Sequence, residues 1–307
     1  MTGAILPPVW FERPVLPDLA PAVAARCAIL GPATADDPYA GLETAVAAVV
    51  GAAPFGEAAA LARAPHLRVI ARTGIGYDAI DVAAATRRGI AVCNTPDGPT
   101  TSTAEHAITL MLLVAKNVKA AETALTTGTA TGYYSRHDGI ELDGKVLGLV
   151  GFGRIARHVA RIAAGLGMRI TTFDPYLPTS GVPTGIDRAP TLDALLGAAD
   201  VVSVHVPLTD ESRNLFGAAK FAAMKPGAVF INTARGGLVD HDALLAALES
   251  RYLFGAGLDV TSPEPLPADH PLLRRDDVIV TPHVASATAD GKARIFRVAF
   301  EQAMAVV

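Results

Sequence analysis

V-L-G-L-V-G-F-G-R-I-A-R-H-V-A-R-I-A-A, residues 146–164, followed by M-R-I-T-T-F-D at 168–174, is the stretch that decides the fold. An apolar run stops at Gly151, a G-x-G-x-x-A turn (Gly151, Gly153, Ala156) follows, and a stretch with helical apolar spacing opens at once. A second strand-like run ends on Asp174, 23 residues after Gly151. Strand, glycine turn, helix, strand and terminal acid together form a unit suited to a dinucleotide. One glycine allows the tight turn and the next lets backbone approach a pyrophosphate, whose charge the helix N-terminus meets.

The same spacing recurs at Gly74, Gly76 and Ala79, with Asp97 also 23 residues on, so spacing alone does not choose between the copies. Charge does. Arg154 and Arg157 open the helix of the later copy and would face a pyrophosphate, whereas Asp78 and Asp81 of the earlier copy would repel it. Asp97 also lies past the end of its strand, behind Thr95 and Pro96, while Asp174 ends its strand directly. The cofactor turn is therefore expected at Gly151, Gly153, Arg154 and Ile155. The Asp174 carboxylate accepts from adenosine ribose hydroxyls and opposes a 2′-phosphate, and no Arg or Lys follows before Arg188, so NAD is expected over NADP.

Outward from this unit, the chain alternates strands and helices twice. Runs at Cys27 to Leu30, Ala45 to Val50, Leu67 to Ala71 and Ile90 to Cys93 are separated by Ala-rich helical stretches, a parallel α/β pattern. A helix of about sixteen residues is expected from Ser102 or Thr103, with Glu105 in its first turn and Lys116 and Lys119 near its end. It is long enough to bridge two domains. Six strands then follow near 146–150, 169–173, 200–206, 228–233, 255–260 and 277–281, the number a complete dinucleotide domain requires. A last helical run covers 287–307. With 307 residues, two domains are the expectation.

Composition narrows the function classes. A net charge of −4 offers no basic field for a phosphate backbone, so no nucleic acid partner is expected. Half the residues are hydrophobic, but Gly51, Pro54, Gly56 and Glu57 break the most Ala-rich stretch, and no membrane span is expected. The opening residues carry no basic cluster and soon reach Pro7 and Pro8, unlike a secretory signal, so a cytoplasmic protein is expected. Cys27 and Cys93 sit in apolar strand-like runs and read as buried free thiols. Neither suggests a metal site, and none is expected.

Three chemistry-bearing groups follow three successive strands: Arg235 in I-N-T-A-R-G-G, Glu264 in L-D-V-T-S-P-E-P and His283 in V-I-V-T-P-H. In an open α/β sheet the carboxyl ends of the strands are where ligands bind. A guanidinium holds a carboxylate in a fork and polarises a neighbouring carbonyl, an imidazolium donates the proton that accompanies hydride addition, and a carboxylate orients and charges the imidazole. Taken singly, the three are a surface cation, a loop acid and a packed turn residue; their consecutive placement favours chemistry. His205, in V-S-V-H-V-P, is read as a wall of an adenine pocket or as core, and His106 as an ordinary helix residue.

These motifs, with R-T-G-I-G-Y-D, N-T-P, S-T-A-E-H-A-I, V-G-F-G-R-I-A, H-V-P-L-T-D-E-S-R, N-T-A-R-G-G-L-V-D and G-L-D-V-x-x-x-E-P, resemble the D-isomer-specific 2-hydroxyacid dehydrogenase family from about residue 45 onward. R-T-G-I-G-Y-D with N-T-P-D-G is especially similar to phosphoglycerate dehydrogenase-like members. The resemblance implies hydride transfer at the second carbon of a small 2-hydroxy or 2-oxo acid, 3-phosphoglycerate or a related acid. Arg235 would bind the substrate carboxylate and carbonyl, His283 would be the acid/base and Glu264 its partner. His205, Pro207, Thr233 and Asp259 would join the cofactor contacts.

The resemblance further implies an α/β fold of two Rossmann-like or flavodoxin-like parallel-sheet domains. Residues 1–101 plus 284–307 would form a substrate domain, into which a cofactor domain, 102–283, is inserted. A homodimer through the cofactor domain is implied as well. The earlier glycine turn gains a use, its N–H groups at Ile75 and Gly76 cradling the substrate carboxylate; a plain structural turn is the other explanation. Arg72 is left with two roles, a substrate phosphate or an interdomain salt bridge. Ala156 stands where the family has a third glycine, which leaves both phosphate-facing glycines in place. No added regulatory domain is expected after Val307. The acid at 264 argues against formate dehydrogenases, whose matching position resembles Gln. A dinucleotide-sensing corepressor of the same fold is the rival function.

Overall fold

The computed structural model describes residues 5–32, 37–51, 58–178 and 181–307. The chain divides into two compact units, Met1–Pro99 with Thr288–Val307, and Thr100–Ala287. The sequence break read at Pro54 to Glu57 lies outside the described residues.

In the first unit, β1 (Pro8–Phe11), β2 (Ala28–Leu30), β3 (Ala47–Val50), β4 (Val69–Arg72) and β5 (Ala91–Cys93) form a parallel sheet in the order β2-β1-β3-β4-β5. This is the flavodoxin-like strand order. Strand β1, an interior strand between β2 and β3, is absent from the expected alternation. Three of its four residues are fully buried: Val9, Trp10 and Phe11 are at most 1% exposed. Trp10 packs with Leu42, Ala48 and Ile70 on one face, while Val9 and Phe11 meet Phe296 and Phe300 on the other. Those phenylalanines belong to the C-terminal helix Ala289–Met304, capped by the Thr288 hydroxyl on Gly291 N–H at 2.9 Å. The Phe11 and Phe296 rings stack at 5.7 Å, and each buried aromatic contributes about 2–3 kcal/mol.

In the second unit, β6 (Val146–Val150), β7 (Arg169–Phe173), β8 (Ile186–Arg188), β9 (Val201–Val204), β10 (Val229–Asn232), β11 (Gly255–Leu258) and β12 (Val278–Val280) form a parallel sheet in the order β12-β11-β10-β9-β6-β7-β8. The order matches that of a dinucleotide fold with one further strand, and its switch point lies between β6 and β9. Edge strand β8 was not expected, since three residues with two exposed leave no periodic signal. Both faces of the sheet are covered. Phe230 of β10 packs into one core and its neighbours Val229 and Ile231 into the other, so these strands read as unbroken apolar runs.

The sixteen-residue helix, Thr100–Ala115, starts two or three residues before the expected Ser102 or Thr103 and belongs to this second unit. It packs on the helix Arg154–Gly165 and on β10, β11 and β12. Lys119 does not end it. Asn117 at φ +47 breaks the chain into a further helix, Val118–Thr126, from which Lys119 Nζ donates to the carbonyls of Leu273, Arg275 and Val278. Among the described residues no helix is long and apolar enough to cross a membrane.

Candidate active site

At the switch point, β6 ends in Gly151 at φ +88, a conformation that favours glycine. A Cβ there would lie 2.8 Å from the His205 carbonyl oxygen, so the turn after β6 and the end of β9 are in close contact. Gly153 is different. It caps the helix Arg154–Gly165 in extended backbone open to any residue, and a Cβ on it would meet nothing within 4 Å. Its N-cap supplies no side-chain acceptor, and the first turn holds no acid. A backbone that needs no glycine for itself, beneath a helix N-terminus of uncapped N–H groups, fits an incoming pyrophosphate. The Asp174 Oδ2 accepts from Phe152 N–H at 2.9 Å and Oδ1 from Tyr176 N–H at 3.0 Å, so the acid is tied to the turn it was expected to serve. Arg157 departs from expectation: its guanidinium lies 4.6 Å over the Phe152 ring and donates to the Gly181 carbonyl at 3.0 Å. Those contacts brace the turn.

Beyond β9, the His205 imidazole is 2.9 Å from the Ser203 hydroxyl, and burial pushes its pKa down to about 4. It is neutral near pH 7 and suits a pocket wall better than a proton donor, with Pro207 exposed just after it. Beyond β10, the buried Asn232 side chain donates to the Arg235 carbonyl at 2.8 Å and accepts from Ala234 N–H at 2.9 Å. Asn232 therefore shapes the backbone that presents Arg235, a role not foreseen. The Thr233 hydroxyl oxygen is buried without a partner among the described residues, which fits a polar atom brought by a cofactor. Gly236 packs so closely on the loop after β11 that a Cβ would lie 1.9 Å from the Thr261 carbonyl oxygen. The Arg235 and Glu264 loops are thereby held side by side.

Glu264 and His283 meet. His283 Nδ1 is 2.6 Å from Glu264 Oε1, with side chains 37% and 40% exposed. Thr261 N–H donates to the other carboxylate oxygen at 3.4 Å. His283 has φ +54, uncommon for a non-glycine residue and sustained only where the surroundings enforce it. Asp259 supplies the enforcement. Its carbonyl accepts from His283 N–H at 2.7 Å, and its carboxylate accepts from Thr281 Oγ1 at 2.6 Å and from Val284 and Ala285 N–H at 2.9 Å each. Expected as a cofactor contact, Asp259 is 1% exposed and clasps the His283 loop on both sides. Burial raises its pKa, but hydrogen bonds from His106, Thr281, Val284 and Ala285 outweigh that and hold it below the ordinary value. His106, taken for an ordinary helix residue, thus reaches this cluster.

In the first unit, Gly74 at φ +145 donates to Thr95 Oγ1 at 2.7 Å, and Asn94 Nδ2 donates to the Ile75 carbonyl at 2.8 Å. The N–H groups of Ile75 and Gly76 make no hydrogen bond among the described residues. Arg72 folds back to donate to the Thr73 carbonyl. A cavity of about 500 Å³, lined in part by Asn117, Tyr133, Arg136, His137, Arg274 and Asp276, lies at the amino end of β12, the side of the sheet away from His283. Among the described residues no His, Cys, Asp or Glu group is placed to hold a metal ion.

Residues 108–285 match the family described as D-isomer specific 2-hydroxyacid dehydrogenase, NAD binding domain. A D-3-phosphoglycerate dehydrogenase of Archaeoglobus fulgidus is 39% identical over 239 residues, 78% of this chain and 45% of that protein. A glyoxylate reductase of Korarchaeum cryptofilum is 40% identical over 245 residues, 79% of this chain and 74% of that one. Among solved structures, the D-lactate dehydrogenase of Aquifex aeolicus complexed with NAD and lactic acid superposes with a TM-score of 0.83 at 28% identity, covering 96% of this chain and 93% of that one. The chain spans about half the length of the curated phosphoglycerate dehydrogenases it matches.

Proposed function

Because the chain belongs to the D-isomer specific 2-hydroxyacid dehydrogenase family and carries its NAD-binding domain, we propose that it interconverts a small 2-oxo acid and the corresponding 2-hydroxy acid. The observation that carries this is the 2.6 Å pair of His283 and Glu264 beyond the carboxyl ends of β11 and β12. NAD, when bound, supplies or accepts the hydride. Gly151, Gly153 and the N–H groups of Arg154 and Ile155 would hold its pyrophosphate, Asp174 its ribose, and His205, Pro207, Thr233 and Asp259 would complete the contacts.

Arg235 forks onto the substrate carboxylate and polarises the neighbouring carbonyl. With Nδ1 engaged by Glu264, Nε2 is the nitrogen of His283 left to act. In reduction it gives its proton to the carbonyl oxygen as hydride reaches the second carbon, and in oxidation it takes that proton back. The N–H groups of Ile75 and Gly76, unpartnered among the described residues, would donate to a carboxylate oxygen, and Arg72 would meet a phosphate. 3-Phosphoglycerate and small related acids are therefore the substrates we favour. Exposed Leu125 and Tyr134 on the second unit support a homodimer formed through that unit, and two unpaired cysteines support a cytoplasmic setting.

The test follows NADH absorbance with glyoxylate, pyruvate and hydroxypyruvate, and NAD reduction with 3-phosphoglycerate, while light scattering reports the mass in solution. Turnover of at least one acid, lost in His283→Ala, is the expected result. A chain that binds NADH tightly and turns over none of them is a dinucleotide sensor instead.

A further inference from the structure

His106 has no part in the chemistry above, yet its ring reaches the loop that carries His283. It stands in the second turn of the helix Thr100–Ala115, with Nε2 at 2.9 Å from Thr281 Oγ1 and 3.4 Å from Asp259 Oδ1. Thr281 Oγ1 in turn lies 2.6 Å from Asp259 Oδ1. A hydroxyl has one proton, and an ionised carboxylate only accepts. Thr281 therefore donates to Asp259, and its remaining lone pairs accept the Nε2 proton of His106. The direction of the main line is set, His106 to Thr281 to Asp259, with Asp259 Oδ1 a second and longer acceptor for the same Nε2 proton at 3.4 Å. At its far end Asp259 grips Val284 and Ala285 N–H by its carboxylate and His283 N–H by its carbonyl. Between these holds His283 keeps its left-handed backbone.

We propose that His106 is a positioning residue for proton transfer: by donating to Thr281 it locks the Thr281 and Asp259 side chains that hold the 281–285 loop, and so sets the aim of the His283 imidazole. The proposal rests on the dehydrogenase activity above. A misaimed proton donor slows the chemical step while leaving the pyrophosphate and ribose contacts intact, so the effect belongs on kcat. A helix-to-loop contact of purely structural value would instead lower the melting temperature and leave turnover per folded molecule unchanged.

The experiment uses the whole chain and the 2-oxo acid that the wild type reduces best. His106→Leu removes the donor, His106→Gln returns an N–H near the same place, and Thr281→Val cuts the line at its next member. We expect kcat to fall about tenfold in His106→Leu and in Thr281→Val, with NADH affinity by fluorescence within about twofold of wild type. His106→Gln should recover to within about threefold, and the double variant His106→Leu with Thr281→Val should be no slower than the worse single one, since both cut one line. Should His106→Leu fail to fold, the contrast of His106→Gln with Thr281→Val decides: near-normal turnover in the first and slow turnover in the second support the role, and any other ordering overturns it. An unchanged kcat in His106→Leu, no rescue by Gln, or losses that multiply in the double variant also overturn it. A wild-type chain that turns over no 2-oxo acid removes the activity itself, and the role with it; an active wild type beside an unaffected His106→Leu removes the role alone.

Discussion

Replacing Asp259 by Asn tests the clasp on the His283 loop with almost no change of shape. The side chain is 1% exposed, and its carboxylate accepts from Thr281 Oγ1 and Val284 N–H on Oδ1 and from Ala285 N–H on Oδ2. An amide has one oxygen to share among them. The orientation that loses least keeps that oxygen at Oδ1 and turns NH₂ toward the Ala285 N–H, donor against donor. A buried donor left without an acceptor costs about 1–3 kcal/mol, and each surviving bond weakens by about 1 kcal/mol on losing its charge. Relief from burying a carboxylate offsets part of this. The offset is the smaller term, because the Asp259 pKa lies below the ordinary 3.8 despite its burial. A net loss of about 3 kcal/mol lowers the melting temperature of a unit this size by about 6–12 °C. The pH dependence has a definite sign. A folded pKa below the unfolded one gives stability that is complete above about pH 4 and is lost as pH falls through the folded value. Calorimetry of both proteins from pH 8 to pH 3 should show a constant gap down to about pH 5 that narrows below about pH 4. A gap under about 2 °C at neutral pH, or one that persists undiminished in acid, refutes the reasoning.

Asp174→Ala should narrow the preference for NADH over NADPH, measured as the ratio of kcat/KM values with one substrate; a wild type that prefers NADPH contradicts the role of Asp174. Arg235→Ala should lower kcat/KM by at least about 100-fold while NADH binding by fluorescence barely changes, and a large loss of NADH affinity would make Arg235 a cofactor contact instead. Cys27 is 2% exposed, and burial pushes its thiol up to about 11, so at pH 8 a thiol reagent should leave it unmodified in the native protein and label it in denaturant. Rapid labelling of Cys27 in the folded chain, identified by peptide mapping, would show that the first unit opens readily.

Much of this protein is legible along the chain because its signals are local. An apolar run, two glycines and an acid at the next strand end declare the unit around Gly151 and Asp174 within about thirty residues, and repetition of the pattern declares parallel α/β architecture. Tracking strand ends singled out Arg235, Glu264 and His283 with no knowledge of which strands adjoin. Two strands escape that approach: β1 is opened by Pro8 and β8 has two of its three residues exposed, so neither gives a strand signal, yet β1 lies in the interior of its sheet. Strand order, with β6 beside β9, was likewise set only by tertiary packing, since any order satisfies the local pattern. The same holds for the far ends of polar side chains. Arg157 was expected to face a pyrophosphate from its place at a helix start, but the fold brings the Phe152 ring and the Gly181 carbonyl within its reach. His106 looked like one more helix residue because its partner Thr281 lies 175 residues away. Periodicity is a property of neighbours in sequence, whereas a hydrogen bond or an ion pair depends on which elements the topology makes neighbours in space.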